Sequence, residues 1–191
     1  MAIRSIGIIG AGTMGNGIAQ VAAGAGFEVI LLDINDAALE KGLVALSKSL
    51  DRLIKKELIT SEQKVQTLAR IKTTTQYTDL ATVSLVIEAA TENQAIKEKI
   101  LAQVDQVVSK ETIIASNTSS ISITHLASLN SQPERFIGIH FFNPPPLMAL
   151  LEVIMGKETS PETLKAVLAM ASAMGKEPIT VQSSPGFVVN R

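Results

Sequence analysis

The chain has 191 residues, 46% hydrophobic and 18% charged, enough for one cored domain, short for two, and unlike a disordered segment. Its net charge of −1 gives no reason to expect a nucleic acid or an anionic membrane as partner. The absence of cysteine excludes disulfides, thiolate catalysis and Cys-based metal sites, and no metal is called for.

Met1-Ala2-Ile3-Arg4-Ser5 runs directly into a strand-like segment, with no basic region and long apolar stretch of a signal peptide. No run reaches the roughly 18 apolar residues of a membrane span, and a cytoplasmic protein is expected. Apolar, β-branched Ile3 to Ile9 reads as a buried strand ended by a glycine cluster. Thr13 to Gly24, rich in Ala, reads as a helix, and Glu28 to Leu32 as a second strand closing on Asp33. Asp36 to Lys56 carries Leu39, Leu43, Leu46, Leu50 and Leu53 at helical spacing, with Asp36 as its cap. Ser61 to Arg70 is a further helix, with Ser61 as its candidate cap. Ile71–Thr74 and Ser84–Glu88 are short strands, Asn93–Val108 a helix, and Thr112–Ser116 a strand leading into polar Asn117-Thr118-Ser119-Ser120. Phe136–Phe142 is a strand stopped by Asn143 and three prolines. Leu150–Ile154 is a strand, Pro161–Met174 a helix with Gly175 as its stop, and Glu177–Val181 a last strand. With so few aromatics the core falls to Ala, Val, Ile, Leu and Met, and strands alternating with helices predict a doubly wound, mostly parallel α/β sheet of Rossmann type.

Gly10-Ala11-Gly12-Thr13-Met14-Gly15 fits G-x-G-x-x-G between a strand and a helix. Gly10 allows the tight turn, Gly12 lets a pyrophosphate approach the backbone, and Gly15 lets the helix pack on the strand. The helix start at Thr13 and Met14 offers its N–H groups and positive dipole end to phosphates. Asp33, 18 residues after Gly15, can accept hydrogen bonds from the adenosine ribose and repels a 2′-phosphate, which favours NAD over NADP. Glu92 and Lys97 follow the strand at the sheet's switch point. They contact the nicotinamide half in one reading; in the other they belong to a helix-capping cluster, with Lys97 on a solvated face.

Removing hydride from an alcohol needs a base for the hydroxyl proton, and histidine suits neutral pH. His125 reads as a structural residue at a surface helix start. His140 ends a buried strand, where this fold class puts its chemistry; a satisfied core histidine is the other reading of that position.

Six segments in order make the chain resemble the 3-hydroxyacyl-CoA dehydrogenase family, near its short-chain 3-hydroxybutyryl-CoA members. They are Gly7–Gly15, Glu88–Asn93, Ser116–Ser120, His140–Pro144, Leu151–Ile154 and Pro185–Arg191. The resemblance implies an NAD-dependent enzyme interconverting (3S)-3-hydroxyacyl-CoA and 3-oxoacyl-CoA, with His140 as base and acid. It implies Glu152 as the carboxylate that fixes the ring's tautomer and favours its charged form. It implies Ser119 and Asn190 as groups holding the substrate's 3-oxygen end, Asn117 on the cofactor side and Asn143 on the substrate side. Ser49 and Lys56 resemble the segment that contacts coenzyme A; seven residues apart, they share one helix face, and Lys56 can equally be a solvated helix end. The family continues past Asn190-Arg191, so residues 1–185 are expected to be the NAD-binding catalytic domain and 186–191 the lead-in to a helical dimerisation domain, with a homodimer at full length. The alternatives are an NAD-binding module without turnover in this length of chain, and a related dehydrogenase for another 3-hydroxy acid or a dicarboxylyl-CoA.

Overall fold

The computed structural model describes residues 2–184, 186 and 187. Its strands are β1 (Ser5–Ile9), β2 (Glu28–Leu32), β3 (Ile71–Thr74), β4 (Leu85–Glu88), β5 (Ile113–Ser116), β6 (Phe136–Phe141), β7 (Leu150–Met155) and β8 (Glu177–Gln182). Its helices are α1 (Thr13–Gly24), α2 (Asp36–Lys55), α3 (Ser61–Ala69), α4 (Gln94–Val107), α5 (Ile123–Ser128) and α6 (Pro161–Ala173). The strands form one sheet in the order β3-β2-β1-β4-β5-β6-β7-β8. Every neighbouring pair is parallel except β6 and β7, which are antiparallel. This is the expected doubly wound, mostly parallel sheet, with its order reversing beside β1.

Period-two alternation along each strand feeds two cores. Ile6, Ile8, Leu31, Leu85 and Ile87 pack under α1, α2 and α6, while Ile9, Leu32 and Val86 pack under α4 and α5. Because both faces are covered, the strands read as continuous apolar runs rather than alternating ones. Among the described residues no helix is long and apolar enough to cross a membrane.

Two helix caps differ from expectation. Asn35 caps α2, its Oδ1 accepting the Ala38 N–H at 2.9 Å, and Asp36 is the first helical residue. Thr60 caps α3 and forms a reciprocal pair with Gln63, so Ser61 is already inside the helix. In each case the residue before the expected cap also has an acceptor side chain, and the one that keeps extended backbone takes the role. The apolar stripe of α2 holds at Leu39, Leu46 and Leu50, but Leu43 is only partly buried and Gly42 takes the inner position. A Cβ on Gly42 would sit 2.7 Å from the Ala11 carbonyl oxygen, so α2 approaches the glycine turn directly at this point.

Candidate active site

The turn after β1 is built by three glycines with three different reasons. Gly10 has φ +101°, and a Cβ there would lie 2.6 Å from Ala90 Cα across the switch point. A Cβ on Gly15 would lie 1.7 Å from the Gly10 carbonyl oxygen, which is how closely α1 leaves the strand. A Cβ on Gly12 would meet nothing within 4 Å. Gly12 is the N-cap of α1, and no side chain caps that helix's first turn at Thr13 and Met14. Open space over an uncapped helix start is a cradle for an anionic group. Beside it, Asp33 accepts the Ala11 N–H on Oδ2 (2.6 Å) and the Ile34 N–H on Oδ1 (2.7 Å). Those bonds fix the carboxylate at the end of β2 and leave each oxygen further acceptor capacity for ribose hydroxyls. These residues fit the pyrophosphate and adenosine ribose of a dinucleotide.

His140 and Glu152 are direct cross-strand partners in the antiparallel β6–β7 pair. Residues opposite each other in such a pair present their side chains on the same face, and here His140 Nδ1 lies 2.7 Å from Glu152 Oε2. Glu152 is fully buried and His140 is 7% exposed. An ionised carboxylate only accepts, so in the neutral ring Nδ1 carries the hydrogen and Nε2 the lone pair. The ring lies against Phe142, with centroids 4.5 Å apart, and reaches Phe187 at 6.2 Å. It borders a cleft of about 720 Å³ whose walls include Met14, Glu92, Asn117, Ser119 and Asn143. The histidine, the first turn of α1 and four of the other predicted polar residues therefore share one cleft. Asn190 lies outside the described residues.

The loop after β5 is tied to β4 by two carboxylates. Glu92 Oε1 accepts from the Thr118 hydroxyl (2.7 Å), the Ser119 N–H (2.7 Å) and the Ser119 hydroxyl (2.9 Å). Burial pushes the Glu92 carboxyl up, but the Thr118 and Ser119 donors and the Lys97 ammonium outweigh it and hold the group below the ordinary carboxylate value. The folded value lies below the unfolded one, so these bonds stabilise the loop above the ordinary pKa and are lost as the pH falls through the folded one. Neither reading of Lys97 anticipated its surroundings. It is not on a solvated face: it is 1% exposed and pairs with the fully buried Glu88, with Glu92 Oε2 at 3.9 Å. Glu88 also accepts from the Ser116 hydroxyl (3.0 Å) and the Ala90 N–H (2.9 Å). Glu88 ends β4 and Lys97 stands in the first turn of α4, nine residues on, and the lysine folds back under β4 to meet it. Ser119 and Ser120 do not cap the next helix; Ser122 does, accepting the His125 N–H at 3.2 Å. Asn117 accepts the Phe141 N–H on Oδ1 at 2.9 Å and so joins the ends of β5 and β6.

Ser49 and Lys56 border a second cavity, of about 400 Å³, with Arg52 and Lys55 from α2 and Pro144, Pro146 and Leu147 opposite. His125 stands apart, its Nε2 2.8 Å from Glu98 on an exposed surface. A groove of about 630 Å³ between α1, α3 and the end of α6 holds neither a histidine nor the glycine turn.

Comparison with known proteins places the chain among named relatives. The family model described as 3-hydroxyacyl-CoA dehydrogenase, NAD binding domain, matches residues 5–184. A 3-hydroxybutyryl-CoA dehydrogenase of Bradyrhizobium diazoefficiens is 46% identical over 99% of this chain and 64% of its own length. A fatty acid oxidation complex subunit alpha of Psychrobacter is 43% identical over 99% of this chain and 26% of its own. The crystal structure of an (S)-3-hydroxybutyryl-CoA dehydrogenase from Ralstonia eutropha superposes with a TM-score of 0.98 at 58% identity, covering 100% of this chain and 67% of that one. The chain thus spans about two thirds or less of the length of these relatives.

Proposed function

The chain belongs to the 3-hydroxyacyl-CoA dehydrogenase family, as its NAD-binding domain, and on that premise we propose that the protein oxidises short-chain (3S)-3-hydroxyacyl-CoA to 3-oxoacyl-CoA and catalyses the reverse. NAD is its cofactor. One observation carries the proposal. His140, backed by Glu152 through strand register, borders the same cleft as Met14 in the first turn of the glycine helix.

Gly10, Gly12, Gly15 and the backbone of Thr13 and Met14 hold the pyrophosphate in this reading, and Asp33 holds the adenosine ribose. Glu92, Lys97 and Asn117 shape the nicotinamide end, Lys97 through its pairing with Glu88 and Glu92 rather than as a solvent-facing cation. Bound NAD supplies the hydride acceptor. His140 Nε2 takes the proton of the 3-hydroxyl on oxidation and returns it on reduction, and Glu152 keeps Nδ1 occupied so that Nε2 is the nitrogen available. Ser119, Asn143 and Asn190 hold the reacting end of the acyl group, while Ser49 and Lys56 take the coenzyme A portion. Charge on Lys56 beside a phosphate and fixed donors at the other end place the 3-carbon, which makes the transfer effectively intramolecular.

NADH fluorescence titration followed by acetoacetyl-CoA reduction tests the reading. NADH binding with acetoacetyl-CoA-dependent oxidation supports it; NADH binding with no turnover in the protein at its full length rejects the enzyme in favour of a binding module. A sharper check falls on Asp33. Asp33→Asn keeps an acceptor for the Ala11 N–H but loses the charge. It is expected to weaken NADH about tenfold or more, the scale of one charged hydrogen bond, while NADPH loses less because the 2′-phosphate is no longer repelled. Equal affinity for NADH in parent and variant would remove Asp33 from the cofactor site.

A further inference from the structure

The segment joining β6 to β7 borders both cavities: Asn143 faces the catalytic cleft, and Pro144, Pro146 and Leu147 face the cavity of Ser49 and Lys56. It is poor in its own fastenings. Pro144, Pro145 and Pro146 bring no backbone N–H. The next two N–H groups, of Leu147 and Met148, both go to the Pro144 carbonyl at 3.0 and 3.1 Å. The carbonyls of Pro145 and Met148 are met instead by a side chain from elsewhere in the chain. Lys176 Nζ donates to them at 2.6 and 2.8 Å. Lys176 is 9% exposed and follows Gly175, whose φ of +67° ends α6, so it is delivered by a fixed turn rather than a loose one. Burial pushes its ammonium below the ordinary lysine value. An apolar side chain would fill the same place without that cost, so what the lysine adds is the two donated bonds. From the other side, Pro145 rests on α1: a Cβ on Gly17 would lie 2.8 Å from Pro145 Cγ and Cδ.

We propose that Lys176 is a positioning residue for the acyl-CoA site, holding the proline segment at the height that aligns the Lys56 cavity with His140. The inference rests on the functional reading above. It predicts a defect confined to the acyl-CoA, because the glycine turn and Asp33 lie outside the segment that Lys176 holds.

The test compares parent, Lys176→Met and Gly17→Ala for NADH Kd, for coenzyme A binding by calorimetry, and for KM and kcat with acetoacetyl-CoA. Lys176→Met is expected to raise KM about tenfold or more, with kcat changed less than about threefold and NADH Kd unmoved. Lys176→Arg, which keeps the charge and the donors, recovers most of that rise. Gly17→Ala pushes Pro145 from the opposite side and reproduces it. Where Lys176→Met does not fold, Lys176→Gln, with a single donating amide, carries the same measurement. A lower melting temperature with KM unchanged in the Lys176 variants overturns the role, as does a KM rise matched by an equal rise in NADH Kd. A parent that binds NADH but neither binds coenzyme A nor reduces acetoacetyl-CoA sinks the functional reading itself, and the Lys176 role with it.

Discussion

His140→Gln lowers kcat for acetoacetyl-CoA reduction by about two to four orders of magnitude and leaves the NADH Kd within about twofold of the parent. The amide matches the ring roughly in reach but cannot take up and return a proton, so general acid–base chemistry is lost while the cleft keeps its shape. Cofactor affinity holds because the groups that fit the dinucleotide, Gly12, the first turn of α1 and Asp33, lie on β1, α1 and β2 and not on β6. Glu152→Gln divides the role of the ring from the role of its partner. Its amide oxygen can still accept from Nδ1, but the ion pair formed when the ring takes a proton is gone. The expected loss is smaller, about one to two orders of magnitude in kcat, again without a change in NADH affinity. Stopped-flow single turnovers with NADH and acetoacetyl-CoA read the chemical step directly. Parent-like single-turnover rates in His140→Gln would remove the histidine from the reaction.

The two halves of this site were unequally legible in the sequence. The glycine turn is local: Gly10 to Gly15 form one contiguous motif, and Asp33 follows at the end of the next strand. Its geometry follows from strand, turn and helix alone. The His140–Glu152 pair needed more. Twelve residues apart, the two meet only because β6 and β7 run antiparallel, against the grain of an otherwise parallel sheet. Periodicity does not show strand direction, and it was the ordered resemblance of both segments to one family that joined them. The pairing of Lys97 was hidden for the opposite reason. A lysine at the start of a helix reads as solvated, and only the position of α4 under β4 shows that Glu88 meets it. Gly17, Gly42 and Lys176 left no readable signal. Their partners, Pro145, Ala11 and the 145–148 carbonyls, are decided by how close helices and crossovers approach in space.

Gly15→Ala is expected to lose both stability and cofactor, whereas Gly12→Ala loses cofactor alone. An alanine is worth up to about 1 kcal/mol over glycine inside a helix, so on propensity each change would stabilise α1 or leave it unmoved. At Gly15 the clash decides. A Cβ would stand 1.7 Å from the carbonyl oxygen of Gly10 and 2.8 Å from its carbon. Both neighbours are backbone, so no rotamer relieves them, and α1 has to lift from the end of β1. Overpacking of this kind costs about 1–3 kcal/mol or more, which exceeds the helix gain and lowers the melting temperature by several degrees on the scale of about 2–4 °C per kcal/mol. The displaced helix start also carries the uncapped N–H groups away from Asp33, and NADH affinity falls by about two orders of magnitude. At Gly12 the same methyl meets nothing. The fold is untouched, and the methyl occupies the space the pyrophosphate needs, for a loss of about tenfold or more in NADH affinity at an unchanged melting temperature. Thermal melts and NADH titrations on the two variants separate a glycine kept for packing from one kept for approach. Parent-like melting and binding in Gly15→Ala would mean that α1 does not leave β1 as tightly as the turn requires.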